Sequence, residues 1–219
     1  MKNIGVILAG CGYLDGAEIR EAVLTLLAVD QHGAKAKIFA PNIDQHHVVN
    51  HLNGEETKET RNVLLESARI ARGEIQDLQD LNMSELDAII LPGGFGVAKN
   101  LSTLAFDGPN GKINEQLNQV LHQALELKKP IGAICISPAV ICLGIGKSNP
   151  EVTIGNDEGT AEAIKALGGT HVSLNPNESH IDTKNKIVST PAYMYDNAPI
   201  SQIFQGINDC VKNIIELCK

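Results

Sequence analysis

Several kinds of side chain are scarce or absent in this chain of 219 residues. It has no tryptophan, and aromatic residues make up only 3% of it. Proteins that bind single-stranded nucleic acids stack the bases on aromatic side chains, and such platforms are missing here. Positive charge is also in deficit, because 18 lysines and arginines against 26 acidic residues give a formal net charge of −8. An acidic surface repels nucleic-acid phosphates and anionic membranes, so we expect neither as a partner.

The sequence also lacks paired cysteines and long apolar runs. Without a C-x-x-C pair, a disulfide scaffold or a zinc ribbon is a poor interpretation. Scattered free thiols are typical of a reducing compartment, and we predict a cytoplasmic protein. No apolar run reaches the length of a membrane-spanning helix. Residues 8–11 resemble a lipoprotein cleavage site, but the apolar stretch is short and is better interpreted as a buried first strand. The five cysteines are Cys11, Cys135, Cys142, Cys210 and Cys218.

What the sequence does contain is an alternation of apolar strands and amphipathic helices. This alternation predicts an α/β protein whose mainly parallel sheet is covered by helices on both faces. We predict a single domain over residues 1–219, with an irregular insertion around 42–60, and the segment 62–81 fits neither a helix nor a strand template. The predicted strands are 4–9, 36–40, 87–91, 131–134, 152–154 and 186–189. The predicted helices are 17–31, 114–127, one beginning after Cys135, 160–167 and 203–218.

The turn around Cys135 carries the strongest chemical signal. It lies between an apolar strand and a helix, with the small residues Ala133 and Ser137 two positions before and after it. This pattern is typical of a nucleophile on a sharp strand-to-helix turn. A thiol at a helix N-terminus lies near the positive end of the helix dipole, which favours the thiolate. The alternative, from this turn alone, is a buried core cysteine.

Two glycine-rich stretches follow predicted strands, where ligands gather in open α/β sheets. Pro92-Gly93-Gly94-Phe95-Gly96 could direct backbone amides at an oxyanion, although for this motif by itself a plain glycine turn is the favoured interpretation. Gly10, Gly12 and Gly16 come close to a dinucleotide-binding fingerprint, but the third glycine is one position late. The sequence therefore gives little support for a nicotinamide cofactor.

Glutamate and histidine residues provide further candidates. Glu18 lies near the start of the first helix, where a carboxylate either complements the helix dipole or reaches a ligand across the sheet edge. The three histidines within 46–51 lack the helical face and acidic partner of a zinc motif, and we predict no metal. His180 and Asp182 could act as a base and its orienting carboxylate in a cysteine triad. A polar hairpin edge is the favoured interpretation of this pair.

Together these clusters resemble the class I glutamine amidotransferase-like superfamily, which includes the PfpI-type proteases, chaperones and glyoxalases. More closely, the chain resembles the enhancing lycopene biosynthesis protein family, also called sigma cross-reacting proteins. The likeness spans nearly the whole chain and implies a flavodoxin-like three-layer sandwich, a homodimer and no cofactor. The stretches that carry it are 3–12, DGAE at 15–18, LPGGFGVAKNL at 91–101, ICISPA at 134–139 and TPAYM at 190–194.

The resemblance also implies roles for individual residues. Cys135 becomes the nucleophile, and Glu18 the carboxyl group that hydrogen-bonds its thiolate and carries a proton. The backbone amides of Gly94 and Ile136 become the oxyanion donors. Ile136 stands where many superfamily members have a histidine, so a protease or glutaminase triad is missing unless His180 substitutes for it.

Three functions are compatible with these residues. Related proteins are cofactor-independent glyoxalases, which implies conversion of a small dicarbonyl, methylglyoxal or glyoxal, to lactate or glycolate, with a metabolic association to isoprenoid biosynthesis. A redox-sensing or regulatory protein could use oxidation of Cys135 instead. A glutaminase subunit that passes ammonia to a synthase is the third. An acidic chain with an activated thiol suits the first two equally.

Overall fold

The computed structural model describes residues 1–218, and its central feature is a twisted sheet. Within that range, the strands in chain order are β1 (Asn3–Ile7), β2 (Lys35–Ala40), β3 (Gln76–Asp77), β4 (Ala88–Leu91), β5 (Ile131–Ile134), β6 (Glu151–Val152), β7 (Thr170–His171), β8 (His180–Asp182) and β9 (Ile187–Thr190). Seven of them form one sheet in the order β3-β2-β1-β4-β5-β9-β8, while β6 pairs with β7. All neighbours in the main sheet are parallel except β8 and β9. The predicted α/β class with a mainly parallel sheet is confirmed.

Helices follow most of the strands, as crossovers between parallel strands require. In chain order they are α1 (Ile19–Gln31), α2 (Val63–Ile70), α3 (Phe95–Lys99), α4 (Leu104–Asp107), α5 (Glu115–Glu126), α6 (Ser137–Ile145), α7 (Glu158–Ala166) and α8 (Ile200–Leu217). Short polar side chains begin several of them: Asn62, Asn114 and Asp157 each accept a hydrogen bond from a first-turn amide. Among residues 1–218, no helix combines the length and apolar character needed to cross a bilayer.

The helices cover both faces of the sheet, because successive side chains of a strand point to opposite faces. In β4, Ile89 and Leu91 pack in a cluster with the apolar faces of α5 and α6. Ala88 and Ile90 point the other way, into a cluster formed with α1 and α8. The result is the three-layer sandwich that the family resemblance implied.

The structure differs from the sequence prediction where elements are short. Segment 62–81, which fitted no single template, contains α2, the two-residue strand β3 and a turn of 3-10 helix at Leu78–Asp80. The two-residue strand β7 was not predicted, whereas β8 forms the hairpin edge that the sequence favoured for His180 and Asp182. Strands of two or three residues are too short to show a periodic pattern. Residues 42–60 run as loop, pinned by an isolated bridge between Val49 and Glu56.

The terminal helix provides a test of this packing. Ile207 is fully buried, whereas Ile200 on the same helix is 51% exposed. We expect Ile207→Ala to lower the free energy of unfolding by about 2–5 kcal/mol, because it removes buried methyl groups and leaves a cavity. Ile200→Ala is the matched control and should change it by less than about 1 kcal/mol. Urea denaturation followed by circular dichroism measures both, and equal effects would contradict the packing of α8.

Candidate active site

Cys135 lies at the sharp turn between β5 and α6, as the sequence predicted. Its φ of 62° is in the left-handed region, which costs a residue with a side chain roughly 1–2 kcal/mol. Its amide donates to Thr190 O at 3.0 Å. Ser137, two residues on, donates its hydroxyl to Pro92 O at 2.9 Å. These bonds hold the strained turn, and Cys135 as a whole residue is 8% exposed.

A buried carboxyl group from α1 lies against this thiol, and it belongs to Glu21. Glu21 has no exposed surface, and its carboxyl group shares a hydrogen bond with Cys135. Its Oε2 accepts from the amide of Gly93 at 2.9 Å, and its Oε1 from the amide of Tyr193 at 3.1 Å. Contacts with Cys135, Gly93 and Tyr193 therefore hold the carboxyl group in place.

The structure differs here from the prediction that Glu18 hydrogen-bonds the thiolate. Glu18 is the N-cap residue of α1, and its Oε2 accepts from the amide of Glu21 at 2.6 Å. Its own amide donates to Gly93 O at 2.9 Å. Because α1 begins at Ile19, the side chain of Glu18 caps the first turn, and Glu21, in that same turn, lies against the sulfur. The available signal for Glu21 was its position three residues after Glu18, on the same face of a helix.

The predicted oxyanion donors converge on the same sulfur. The backbone N–H groups of Gly94 and Ile136 both lie beside Cys135 and lower the pKa of its thiol. The loop needs glycine to come this close: a Cβ on Gly93 would lie 2.4 Å from Cys135 Cβ and 2.6 Å from Glu21 Oε2. The two amides are thus available to the thiolate, and their role towards a substrate oxygen stays a prediction.

His180 is placed away from this cluster. It lies on β8, which is separated from β5 by β9, so the two backbones are about 10 Å apart. Its Nε2 lies 3.4 Å from Glu151 Oε2. Asp182 accepts from the amide of Glu151 at 3.0 Å. The structure does not bring His180 to the thiol, and the pair forms the polar edge of a hairpin.

The glycine-rich loop after β1 and the histidines of residues 46–51 were also candidate ligand sites. The amides of Gly12 and Gly16 are used inside their own loop, donating to Ala17 O and Gly12 O. They are therefore not free to bind a pyrophosphate. The rings of His46 and His47 pack against Phe106.

Burial dominates the electrostatics of the site. Desolvation, followed by the nearby charge of Glu18, raises the pKa of Glu21 from its ordinary 4.5 to about 8. Desolvation and the charge of Glu21 raise the pKa of the Cys135 thiol, while the amides of Gly94 and Ile136 favour the thiolate. Two negative charges in hydrogen-bond contact in a buried site are strongly unfavourable. Near neutral pH, both groups therefore hold their protons, and loss of one proton leaves a pair with a single negative charge.

Comparison with known proteins gives close relatives over almost the whole chain, although no protein-family model matches it. The ES1 protein homolog, mitochondrial, of Rattus norvegicus is 46% identical over 225 residues, covering 98% of this chain and 84% of the relative. The glutamine amidotransferase-like class 1 domain-containing protein 3, mitochondrial, of Homo sapiens is 45% identical over 228 residues, covering 98% and 83%.

Solved structures also include a close relative that matches the whole chain. The isoprenoid biosynthesis protein with amidotransferase-like domain from Ehrlichia chaffeensis superposes with a TM-score of 0.93 at 43% identity, covering 100% of both chains. A DJ-1 superfamily protein from Agrobacterium tumefaciens has a TM-score of 0.57 at 15% identity, covering 99% of this chain and 89% of that one. The second likeness shows the fold alone.

These relatives overturn the prediction of a cytoplasmic location. The rat and human proteins, and the ES1 protein of Danio rerio at 35% identity, are all named as mitochondrial. The error has a physical reason. Unpaired cysteines indicate the redox state of a compartment and carry no information on which reducing compartment holds the protein.

The raised pKa of Glu21 predicts how stability depends on pH. The folded state keeps the Glu21 proton up to about pH 8, whereas the unfolded chain releases it near 4.5. The free energy of unfolding should therefore fall as pH rises from about 5 to 8, because the folded state binds more protons in that window. Glu21→Gln should flatten this slope, and the exposed Glu162→Gln should leave it unchanged. Urea titrations at a series of pH values test this, and a slope retained in Glu21→Gln would contradict the assignment.

Proposed function

We propose that this chain, which belongs to the enhancing lycopene biosynthesis (ES1) family of class I glutamine amidotransferase-like proteins in the DJ-1/PfpI superfamily, is a cofactor-independent glyoxalase-type enzyme. One observation supports this above all. The amides of Gly94 and Ile136 favour the thiolate of Cys135, whose sulfur also contacts a buried carboxyl group that can hold or release a proton. The substrate we propose is a small dicarbonyl such as methylglyoxal.

The first step is addition of the thiol to the aldehyde. The pair reacts in the form with one negative charge, as a Cys135 thiolate beside a protonated Glu21. The sulfur forms a bond to the aldehyde carbon, and the carbonyl π pair moves to oxygen, where backbone amides can stabilise it. Glu21 then gives its proton to that oxygen. The product is a hemithioacetal, and Glu21 is left as a carboxylate.

The second step moves a proton between the two carbons. The Glu21 carboxylate removes the proton from the carbon bonded to sulfur, giving an enediol. Return of a proton to the neighbouring carbon gives a lactoyl thioester of Cys135. Water hydrolyses this thioester, which releases lactate and restores the thiol. In sum, one methylglyoxal and one water give lactate and a proton, with no external oxidant or reductant.

The composition of the site favours an aldehyde over an amide. Amide hydrolysis must protonate a leaving amine, and the residue after the nucleophile is Ile136, with His180 paired to Glu151 instead. Addition to an aldehyde expels no leaving group and needs less assistance from a base. The small exposure of Cys135, 8%, also limits access to small carbonyl compounds.

Redox sensing remains a second candidate, because the same hydrogen bond from Glu21 could hold an oxygen of a Cys135 sulfinate. Peroxide titration followed by mass mapping of the thiols tests this role. If the other cysteines are oxidised before Cys135, the redox-sensing role is contradicted.

Turnover of methylglyoxal without glutathione tests the proposed enzyme. We expect Cys135→Ser to lower kcat/KM by about a thousandfold or more, because the nucleophile is lost. Glu21→Gln should lower it by about a hundredfold or more, because the proton carrier is lost. The matched control is Cys218→Ser, whose sulfur bonds Ile214 O at the far end of α8 and whose hydroxyl can replace it. An inactive wild-type protein, or full activity in Cys135→Ser, would contradict the proposal.

The charge of Glu18 gives a separate prediction about pH. This charge helps to raise the pKa of Glu21, and burial and the charge of Glu21 raise the pKa of the Cys135 thiol. In the wild-type protein we therefore expect the alkylation rate of Cys135 by iodoacetamide to rise with pH to a midpoint above that of an ordinary thiol. Glu18→Gln removes the repulsion and should shift this midpoint to lower pH. Mass mapping of the alkylated thiol, with Glu162→Gln as control, measures the shift. An unchanged midpoint in Glu18→Gln would show that the two carboxyl groups are not coupled.

A further inference from the structure

We propose that a lysine-lined cleft binds a small phosphorylated anion, either a phosphate monoester or a diphosphate. The cleft lies at the amino ends of the sheet strands, whereas Cys135 lies at their carboxyl ends. The cleft has a volume of about 290 Å³ and lies where the turn after α5, the connection after α6 and the β8–β9 hairpin meet. Lys128, Lys184 and Lys186 line it, together with the polar side chains of Ser148 and Asn185. Nothing in the proposed glyoxalase chemistry uses this cleft.

The charge at the cleft is opposite to that of the molecule. The chain carries a formal net charge of −8, yet among the described residues that line the cleft, three are lysines and none is acidic. The carboxylate of the neighbouring Asp182 is 3% exposed and is occupied by the amide of Glu151 and the side chain of Asn185. A concave surface of one charge sign concentrates the field and attracts counter-ions.

The lysines also retain donors for a ligand. Lys184 Nζ donates to Ser148 O at 3.4 Å, and Lys186 Nζ donates to Leu217 O at 3.2 Å. Each ammonium group carries three N–H donors, so each of these contacts leaves two. Compact, strongly charged ammonium groups are common phosphate ligands. A purely structural role, in which the lysines only neutralise the C-terminal ends of helices, is the competing explanation.

The backbone holds two of these lysines in an unusual conformation. Lys128 and Lys186 have φ values of 53° and 54°, in the left-handed region that glycine or asparagine adopts at lower cost. Lys128 lies two residues after the end of α5, and Lys186 directly precedes β9. Residues of both turns thus line the cleft.

The position of the cleft makes the site independent of the thiol. It lies at the amino ends of β5 and β9, whereas Cys135 follows the carboxyl end of β5. Four residues of strand separate the two ends by about 13 Å. A volume of 290 Å³ is at the lower end of the range for small-molecule sites. Leu125 adds an apolar contact, which suits a short carbon chain attached to the phosphate.

Titration with inorganic diphosphate tests the site. In ¹⁵N-labelled protein at low ionic strength, we expect saturable shifts of the amide signals of residues 125–128 and 183–186. Lys128→Gln with Lys184→Gln should weaken binding by about tenfold or more, because two charges are lost. The matched control, Lys165→Gln with Lys212→Gln, removes the same charge from exposed positions on α7 and α8 and should change it by less than about twofold.

Three results would overturn the proposal. They are the absence of saturation up to about 5 mM diphosphate, equal affinity in the cleft variant and its control, and shifts spread over lysines throughout the surface. Thermal unfolding shows whether each variant remains folded. Methylglyoxal turnover is a separate readout, so failure at the cleft leaves the proposed activity at Cys135 untouched, and the reverse also holds.

Discussion

The hydrogen bonding of the buried Glu21 carboxyl group is the constraint on which the site depends. This group lies between α1, the loop after β4, the loop after β9 and the turn after β5, and it bonds to Gly93, Tyr193 and Cys135. A carboxyl group is costly to bury unless its hydrogen bonds are satisfied. The four segments must therefore pack together in one arrangement that satisfies these hydrogen bonds, and this arrangement also positions the thiol.

The glycine-rich loops make this meeting possible. A Cβ on Gly96 would lie 2.4 Å from Gly16 Cα, and one on Gly94 would lie 2.3 Å from the amide nitrogen of Glu18. The amide of Gly96 donates to Gly16 O at 2.9 Å. The two loops that the sequence offered as ligand-binding stretches thus pack on one another. Their close contact draws α1 towards Cys135, which explains glycines that resemble a dinucleotide fingerprint without forming one.

The fold also separates two kinds of charge. The carboxyl group of Glu21 and the thiol of Cys135 lie at the carboxyl ends of the strands, where burial raises the pKa of both groups. Three lysines in a shallow cleft occupy the amino edge of the same strands. Because a parallel sheet has all its carboxyl ends at one edge, these two environments remain apart, and a protein of net negative charge can present a positive site away from its reactive carboxyl group.

The sequence by itself determined the alternating strands and helices, the family and the elbow at Cys135, because each is written in local patterns of apolar, small and turn-forming residues. It did not distinguish Glu18 from Glu21, since the two lie one turn apart on the same helix face and only the start and rotation of α1 against the elbow decide which reaches the sulfur. The distance of His180 from Cys135 likewise depended on strand order, because β9 lies between β8 and β5 in the sheet. Contacts between residues distant in the chain follow from packing, and only the tertiary structure decided them.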